Sequence, residues 1–397
     1  MELSRNAMKI TASATLEIDS KAKKMKADGI DVVGFGAGEP DFDTPSFIID
    51  AAKKALDEGK TRYTPASGVL ELKEAICNKF KKDNSLDYNS KQIIVCNGAK
   101  HALYNIFQAI LNPGDEVIIP SPYWLSYPEM VKMAGGIPVF VETKKEDQFK
   151  VNYDDLTSVI TSHTKAMILN SPNNPTGSVY KIDELKMIAD LAVKNKFFVV
   201  SDEIYEEILY DGTKHISIAS LNSQIKDQTL VVNGLSKSFA MTGWRIGYVA
   251  GREDIISVMS NIQSHSTSNP NSIAQYASIT ALKGPKESVK KAVSEFDKRR
   301  KYIYNRINSI VGLSTVMPKG AFYIMLDVSQ LIGKNYKGKT ITGSTSFSNL
   351  LLDAQNVAVV PGIAFGIDSA VRLSYATSMD NIIKGMDRIE AFVKELD

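Results

Sequence analysis

Apolar residues gather into short runs along the middle of the chain, at 93–96, 116–119, 137–141, 165–169, 197–200, 229–232 and 246–250. Each run is continuous rather than alternating, as in a strand covered on both faces. Helix-period stretches separate most of them, at 99–110, 123–133, 153–160 and 182–194. Alternation at these lengths predicts an α/β body around a mostly parallel, seven-stranded sheet. Upstream, 14–28 reads as an amphipathic helix ended by Gly29. Thr44 and Pro45 then read as the N-cap and first position of a helix closed by Gly59.

Beyond Pro285 the rhythm changes. A long charged helix (286–310) leads to a strand at 322–326, a helix at 346–355, strands at 357–360 and 371–375, and a last helix from Met379. This predicts a smaller α+β domain. The strand at 31–35 stands alone and needs a partner there. The expected division is a large domain over 46–284, and a small one built from 1–45 and 285–397 with an N-terminal arm.

Composition narrows the function. A length of 397 residues fits two or three domains, or one large domain with an appendage. Lys and Arg number 47 against 45 Asp and Glu, so there is no electrostatic footprint for nucleic acid. No run of 18 apolar residues exists, and residues 1–6 lack an apolar signal core, so no membrane span or secretory signal is expected. Two cysteines point to a reducing, cytoplasmic compartment. Four scattered histidines without cysteine partners at ligand spacing give no expectation of a metal site.

The chemistry sits where α/β sheets bind ligands, just past the carboxyl ends of strands. Five such loops carry unusual polar segments: Asn97-Gly-Ala-Lys100, Pro120-Ser-Pro-Tyr-Trp124, Asn170-Ser-Pro-Asn-Asn-Pro-Thr-Gly177, Ser201-Asp-Glu-Ile-Tyr205 and Asn233-Gly-Leu-Ser-Lys237. Lys237, among small residues behind a buried strand, is either a surface lysine or a desolvated amine able to form a Schiff base. Asp202 either caps a turn or holds the ring nitrogen of a pyridine cofactor protonated. Gly98, Ala99 and Lys100 open a helix after a strand, which is an ordinary tight turn or a phosphate seat. Trp124 is a loop anchor or a stacking face for a flat ring. Arg245 and Arg372 start apolar strands; each needs an internal carboxylate or a bound anion. Gly34-Phe-Gly-Ala-Gly38 lacks the dinucleotide spacing, and Glu39-Pro40 follows it instead of a helix.

Taken in order, several segments resemble one family nearly end to end. They are Gly36-Ala-Gly-Glu-Pro-Asp-Phe-Asp-Thr-Pro45, Tyr63-Thr-Pro, Pro122-Tyr-Trp-Leu-Ser-Tyr-Pro128, Ser171-Pro-Asn-Asn-Pro-Thr-Gly177, Ser201-Asp-Glu-Ile-Tyr205, Ser236-Lys237, Met241-Thr-Gly-Trp-Arg-Ile-Gly-Tyr248 and Val371-Arg-Leu-Ser-Tyr-Ala376. The chain resembles the class I aminotransferases of the pyridoxal-phosphate-dependent fold type I group, and within them the bacterial Ib branch of aspartate aminotransferases. The resemblance makes 46–284 the cofactor-binding domain. It implies that Lys237 carries pyridoxal 5'-phosphate covalently and later moves the proton at the substrate Cα. It implies that Asp202 pairs with the ring nitrogen, Tyr205 and Asn174 with the phenolic oxygen, and Trp124 with the ring face. The phosphate falls to Arg245, Ser236 and the N–H groups of Gly98, Ala99 and Lys100. Tyr63 would reach the phosphate of a neighbouring subunit, making the active unit a homodimer. Arg372 would clamp the α-carboxylate with Asn174 and the Gly38 backbone.

Three departures bear on this. Gly234 stands upstream of the lysine where many relatives carry a phosphate-binding serine. The stretch 263–270 has no arginine for a distal carboxylate, a task the Ib branch gives to the lysine matching Lys100. Thr11, with Lys9 nearby, replaces the N-terminal lysine associated with prephenate use. The implied reaction is amino transfer from L-aspartate to 2-oxoglutarate in two half-reactions. Alternatives are the same fold acting on alanine, aromatic donors or prephenate, a lyase or decarboxylase, and a binding module that holds the cofactor without turnover.

Overall fold

The computed structural model describes residues 3, 4, 7–11 and 14–397. Its strands are β1 (Val33–Gly34), β2 (Ile93–Cys96), β3 (Glu116–Ser121), β4 (Ile137–Glu142), β5 (Thr164–Asn170), β6 (Phe198–Asp202), β7 (Thr229–Gly234), β8 (Gly247–Ala250), β9 (Tyr323–Asp327), β10 (Asn335–Tyr336), β11 (Lys339–Thr340), β12 (Val357–Ala358), β13 (Val360–Pro361) and β14 (Ala370–Ser374). A seven-stranded sheet runs β2-β8-β7-β6-β5-β3-β4. It is parallel except for β8, which lies antiparallel between β7 and β2. The expected fold, a mostly parallel sheet, is what the chain forms.

Alternate residues of each strand face opposite sides. One face packs Ile94, Val117, Ile168, Val200 and Val232 against Leu103, Ile106 and Phe107 of helix Ala99–Ile110. The other packs Met167, Leu169 and Val199 against Leu185, Ile188 and Leu191 of helix Ile182–Asn195. Both faces are dry, which explains why the strands read as unbroken apolar runs. Burying each such side chain contributes about 1.5–3 kcal/mol.

The C-terminal residues build a three-stranded antiparallel sheet, β13-β14-β9. The solitary strand finds its partner as expected: β1 pairs in parallel with β12. The predicted strand 357–360 divides, β12 going to β1 and β13 to β14.

Boundaries shift where tertiary contacts outrank local signals. Helix Ser46–Asp57 has Pro45 as its N-cap and no side-chain cap. Thr44 does not cap it. Its hydroxyl donates to the Ala240 carbonyl at 2.7 Å and accepts from Trp244 Nε1 at 3.0 Å, so a distant loop has taken the oxygen. The helix expected from 123 begins at Ser126, leaving Tyr123 and Trp124 outside it. Strands β5, β6 and β7 run one or two residues further than the apolar runs, so Asn170 and Asp202 are the last rungs of the ladder and face each other in register.

Candidate active site

At the carboxyl end of β5, β6 and β7 lies a pocket of about 240 Å³. Eleven of the thirteen predicted site residues line it: Gly38, Ala99, Lys100, Trp124, Asn174, Asp202, Tyr205, Ser236, Lys237, Arg245 and Arg372. Gly98 sits immediately behind Ala99, at the N-cap of helix Ala99–Ile110. Tyr63 is elsewhere, 90% exposed in the single chain. Thr11 is also elsewhere, its backbone N–H on Glu129 at 3.1 Å.

Asp202 is buried at the end of β6. Its carboxylate accepts from the Tyr127 hydroxyl at 2.7 Å and the Ile204 backbone N–H at 3.3 Å. Burial raises its pKa to about 6 against the opposing pull of those two bonds. Asn170 fixes the backbone here, donating to the Asp202 carbonyl at 2.9 Å and accepting from the Asn174 N–H at 2.8 Å. Asp202 therefore does cap a turn, and it also faces the pocket.

Lys237 follows β7. Its ammonium donates to the Gly38 carbonyl at 2.6 Å. Burial lowers its pKa to about 8; nearby Glu39 opposes this, while Arg245 and Arg372 add to it. The surface-lysine alternative is excluded by this placement.

Arg372 is 1% exposed. Among the described residues no carboxylate pairs with it. Its Nη1 donates to Asn174 Oδ1 at 3.0 Å, its Nη2 to the Gly36 carbonyl at 2.9 Å, and its Nε has no partner. The guanidinium lies 4.5 Å from the Tyr323 ring centroid and 5.0 Å from that of Phe365. Burial lowers its pKa. The internal-salt-bridge alternative fails here, and a buried cation on neutral partners calls for an anion.

Arg245 adopts a left-handed backbone, φ 56°, and donates to the carbonyls of Thr242 at 2.7 Å and Asn97 at 3.3 Å. It presses on Gly98, where φ is +86° and an added Cβ would fall 2.3 Å from Arg245 Nη2. Glycine alone lets the guanidinium lie against the helix N-terminus, a place that favours anions. Lys100 Nζ sits 4.9 Å from the Trp124 ring centroid, with its pKa lowered by burial and by Arg245. Gly234 is packed tightly: a Cβ would meet the Ile246 carbonyl at 2.9 Å. A serine does not fit there without backbone movement.

The pocket lining thus carries four cations, Lys100, Lys237, Arg245 and Arg372, against the one carboxylate of Asp202. Ligands with several negative charges suit it.

Sequence reasoning overlooked Tyr127, Tyr323, Asn170 and Thr242, all of which line the pocket. Tyr127 lay inside a quoted motif, and its position in the first turn of helix Ser126–Met133 was the available signal. Tyr323 had none: it lies in an apolar run, and its hydroxyl meets that of Tyr205 at 3.0 Å only through the fold.

Comparison with known proteins decides the family. The model of "Aminotransferase class I and II" matches residues 30–389. The chain belongs to the class I and II aminotransferases. This aminotransferase is 52% identical to the aspartate aminotransferase of Bacillus sp. (strain YM-2), over 99% of this chain and all of that one. Its fold matches the crystal structure of the aspartate aminotransferase from Rhizobium meliloti with a TM-score of 0.97 at 40% identity, each chain covered in full. It matches that from Thermus thermophilus with maleate at 0.93 and 43% identity, covering 99% of this chain and all of the other. No helix among the aminotransferase's described residues is long and apolar enough to cross a membrane.

Proposed function

We propose that this chain transfers the amino group of L-aspartate to 2-oxoglutarate with pyridoxal 5'-phosphate, giving oxaloacetate and L-glutamate. The observation that carries the reading is one pocket that brings together half-buried Lys237, its pKa depressed by burial, the carboxylate of Asp202, and Arg245 and Arg372. The aspartate aminotransferase relatives support the substrate, and the maleate of one solved neighbour is itself a dicarboxylate.

The residues fit the cofactor. Gly98 leaves room for Arg245 at a helix N-terminus, Asp202 is a buried carboxylate facing the pocket, and Trp124 offers a ring face on the pocket wall. When bound, pyridoxal phosphate supplies an aldehyde carbon for the amino group and a ring that withdraws electrons from the substrate Cα. Lys237, with a pKa of about 8, is partly neutral near pH 7, which suits it as nucleophile and as the base that moves the proton at Cα. Asp202 accepts from the ring nitrogen and keeps it protonated. Tyr205 and Asn174 donate to the phenolic oxygen. Arg245, Ser236 and the N–H groups of Gly98, Ala99 and Lys100 hold the phosphate, without help from position 234. Arg372 clamps the α-carboxylate with Asn174 and the Gly38 backbone, and Lys100 pairs with the distal carboxylate.

The remaining assignments belong to the same reading. Tyr63, exposed here, reaches the phosphate of a second copy in a homodimer. Residues 46–284 form the cofactor-binding domain, residues 1–45 and 285–397 the smaller one, and the enzyme works in the cytoplasm.

The test is an absorbance spectrum of the purified protein, in the near ultraviolet and visible, before and after L-aspartate. A yellow band that L-aspartate bleaches and 2-oxoglutarate restores is the expected result. A band indifferent to L-aspartate overturns the substrate. The lack of any band after adding pyridoxal phosphate overturns the cofactor and the reaction together.

A further inference from the structure

The turn after β6 has two faces. Asp202 and Tyr205 line the pocket, while Glu203 and Glu206 point away from it into the interior. Burying two carboxylates is costly unless each is paired and hydrogen-bonded. Glu203, 1% exposed, accepts from Ser201 at 2.8 Å, Ser217 at 2.6 Å and His215 Nε2 at 2.9 Å. Glu206 pairs with the ammonium of Lys79 and accepts from Asn84 Nδ2 at 2.7 Å. His215 Nε2 also lies 3.9 Å from Glu206. Glu203, Glu206 and His215 have the donor set of a metal site. Lys79 already pairs with Glu206 and His215 with Glu203, so the cluster is an ion-pair network.

We propose that Glu203 and His215 are positioning residues for the amino-transfer site. Together they pin the turn that carries Asp202 and Tyr205, and their opposite charges cancel behind Asp202. The inference rests on the proposed pairing of Asp202 with a protonated ring nitrogen, which needs an ionised carboxylate. Glu203 is the next residue in the chain, and its negative charge acts to keep Asp202 protonated. His215, when protonated, offsets that charge through its bond to Glu203, although its Nδ1 is buried without a partner. Burial disfavours the imidazolium, yet the charge of Glu203, its hydrogen bond and Glu206 outweigh burial and the repulsion of Lys79, and the pKa rises. Tyr88 and Tyr248 are the other titratable groups that feel Glu203; burial holds both phenols neutral. On the pocket side Asp202 faces Tyr127, Tyr205 and Lys237.

The experiment follows the carboxyl ¹³C signal of Asp202 through a pH titration of the full-length protein, freed of ligand, with D202N assigning the signal. Glu203→Gln keeps the hydrogen-bonding shape and removes the charge. It should lower the Asp202 midpoint, changing the ionised-to-protonated ratio at fixed pH about threefold or more. His215→Gln leaves the carboxylate uncompensated and should raise the midpoint by a similar factor. The double variant should return towards the parent. A purely structural pair would not give opposite signs. If either single variant leaves the midpoint unmoved, or both move it the same way, the proposal is overturned. Should His215→Gln not fold, Glu203→Gln alone decides by the same criterion. Quenching of tryptophan fluorescence by added pyridoxal phosphate is measured on the same samples. A parent protein that shows no quenching sinks the proposed function, while the Asp202 midpoints still decide the role of the pair.

Discussion

Arg300 and Arg372 are the two largest fully buried side chains, and they are buried for opposite reasons. Arg300 donates to Asp211 at 2.8 and 3.0 Å, to Asp297 at 2.5 and 2.9 Å and to the Pro318 carbonyl at 2.7 Å. It ties the long helix Glu287–Ser309 to the loop at Asp211, its charge more than matched. Arg372 has two neutral acceptors, one idle nitrogen and no carboxylate. Both stack on a tyrosine, at 4.6 Å for Tyr210 and 4.5 Å for Tyr323. Burial and aromatic contact therefore do not separate a structural arginine from a binding one; completeness of charge pairing does. A buried cation held only by neutral acceptors favours an anion beside it.

Four substitutions can break or sharpen this contrast. The largest effect is expected for Arg300→Met. It removes the five hydrogen bonds of a fully buried guanidinium, while Asp211 keeps Lys319 and Asp297 keeps Lys301, and should cost about 3–5 kcal/mol of folding stability, read from urea unfolding; a loss below 1 kcal/mol would put the two arginines in one class. Arg372→Ala should leave urea stability near the parent and lower kcat/KM for L-aspartate by about 2–5 kcal/mol, roughly 30-fold to several thousand-fold. Unchanged kinetics would remove Arg372 from the substrate. Lys100→Ala should lower kcat/KM for L-aspartate about 10–100-fold while sparing a monocarboxylic donor such as L-alanine; an equal loss on both donors would make Lys100 a phosphate ligand only.

The smallest effect is a slope. Burial raises the Asp202 pKa from 3.8 to about 6, so between those values the folded protein binds more protons than the unfolded chain. Stability due to this group is present below pH 3.8 and is lost as pH climbs through about 6. Asp202→Asn should flatten that part of the stability–pH curve, measured by thermal unfolding of ligand-free protein. An unchanged slope would show that Asp202 titrates normally.

Much of the site was legible because it recurs at one structural address. A residue at or just past the carboxyl end of a buried strand faces the ligand end of the sheet, and Asp202 at the end of β6 and Lys237 just beyond β7 occupy such positions. The helix at Ala99 was legible because a helix-period stretch follows directly on the apolar run 93–96. Thr44 misled because its local role as a cap competes with a partner near residue 240, and nothing nearby in sequence announces that partner. Tyr323 was missed because an aromatic in an apolar run looks like core until the fold shows where its hydroxyl ends.

The sequence by itself determined the α/β rhythm, the strand that needed a partner, and the set of cations and polar loops gathered at one edge. These are consequences of local periodicity, which each segment carries alone. Tertiary structure decided which charges were left unmatched. The chain has 47 basic side chains and 45 acidic ones, and no count foretells which will meet. Arg300 found Asp211 and Asp297, Lys79 found Glu206, and Arg372 found only carbonyl oxygens. Pairing depends on residues 3 to 336 positions apart in the chain, and only the packed fold sets those distances.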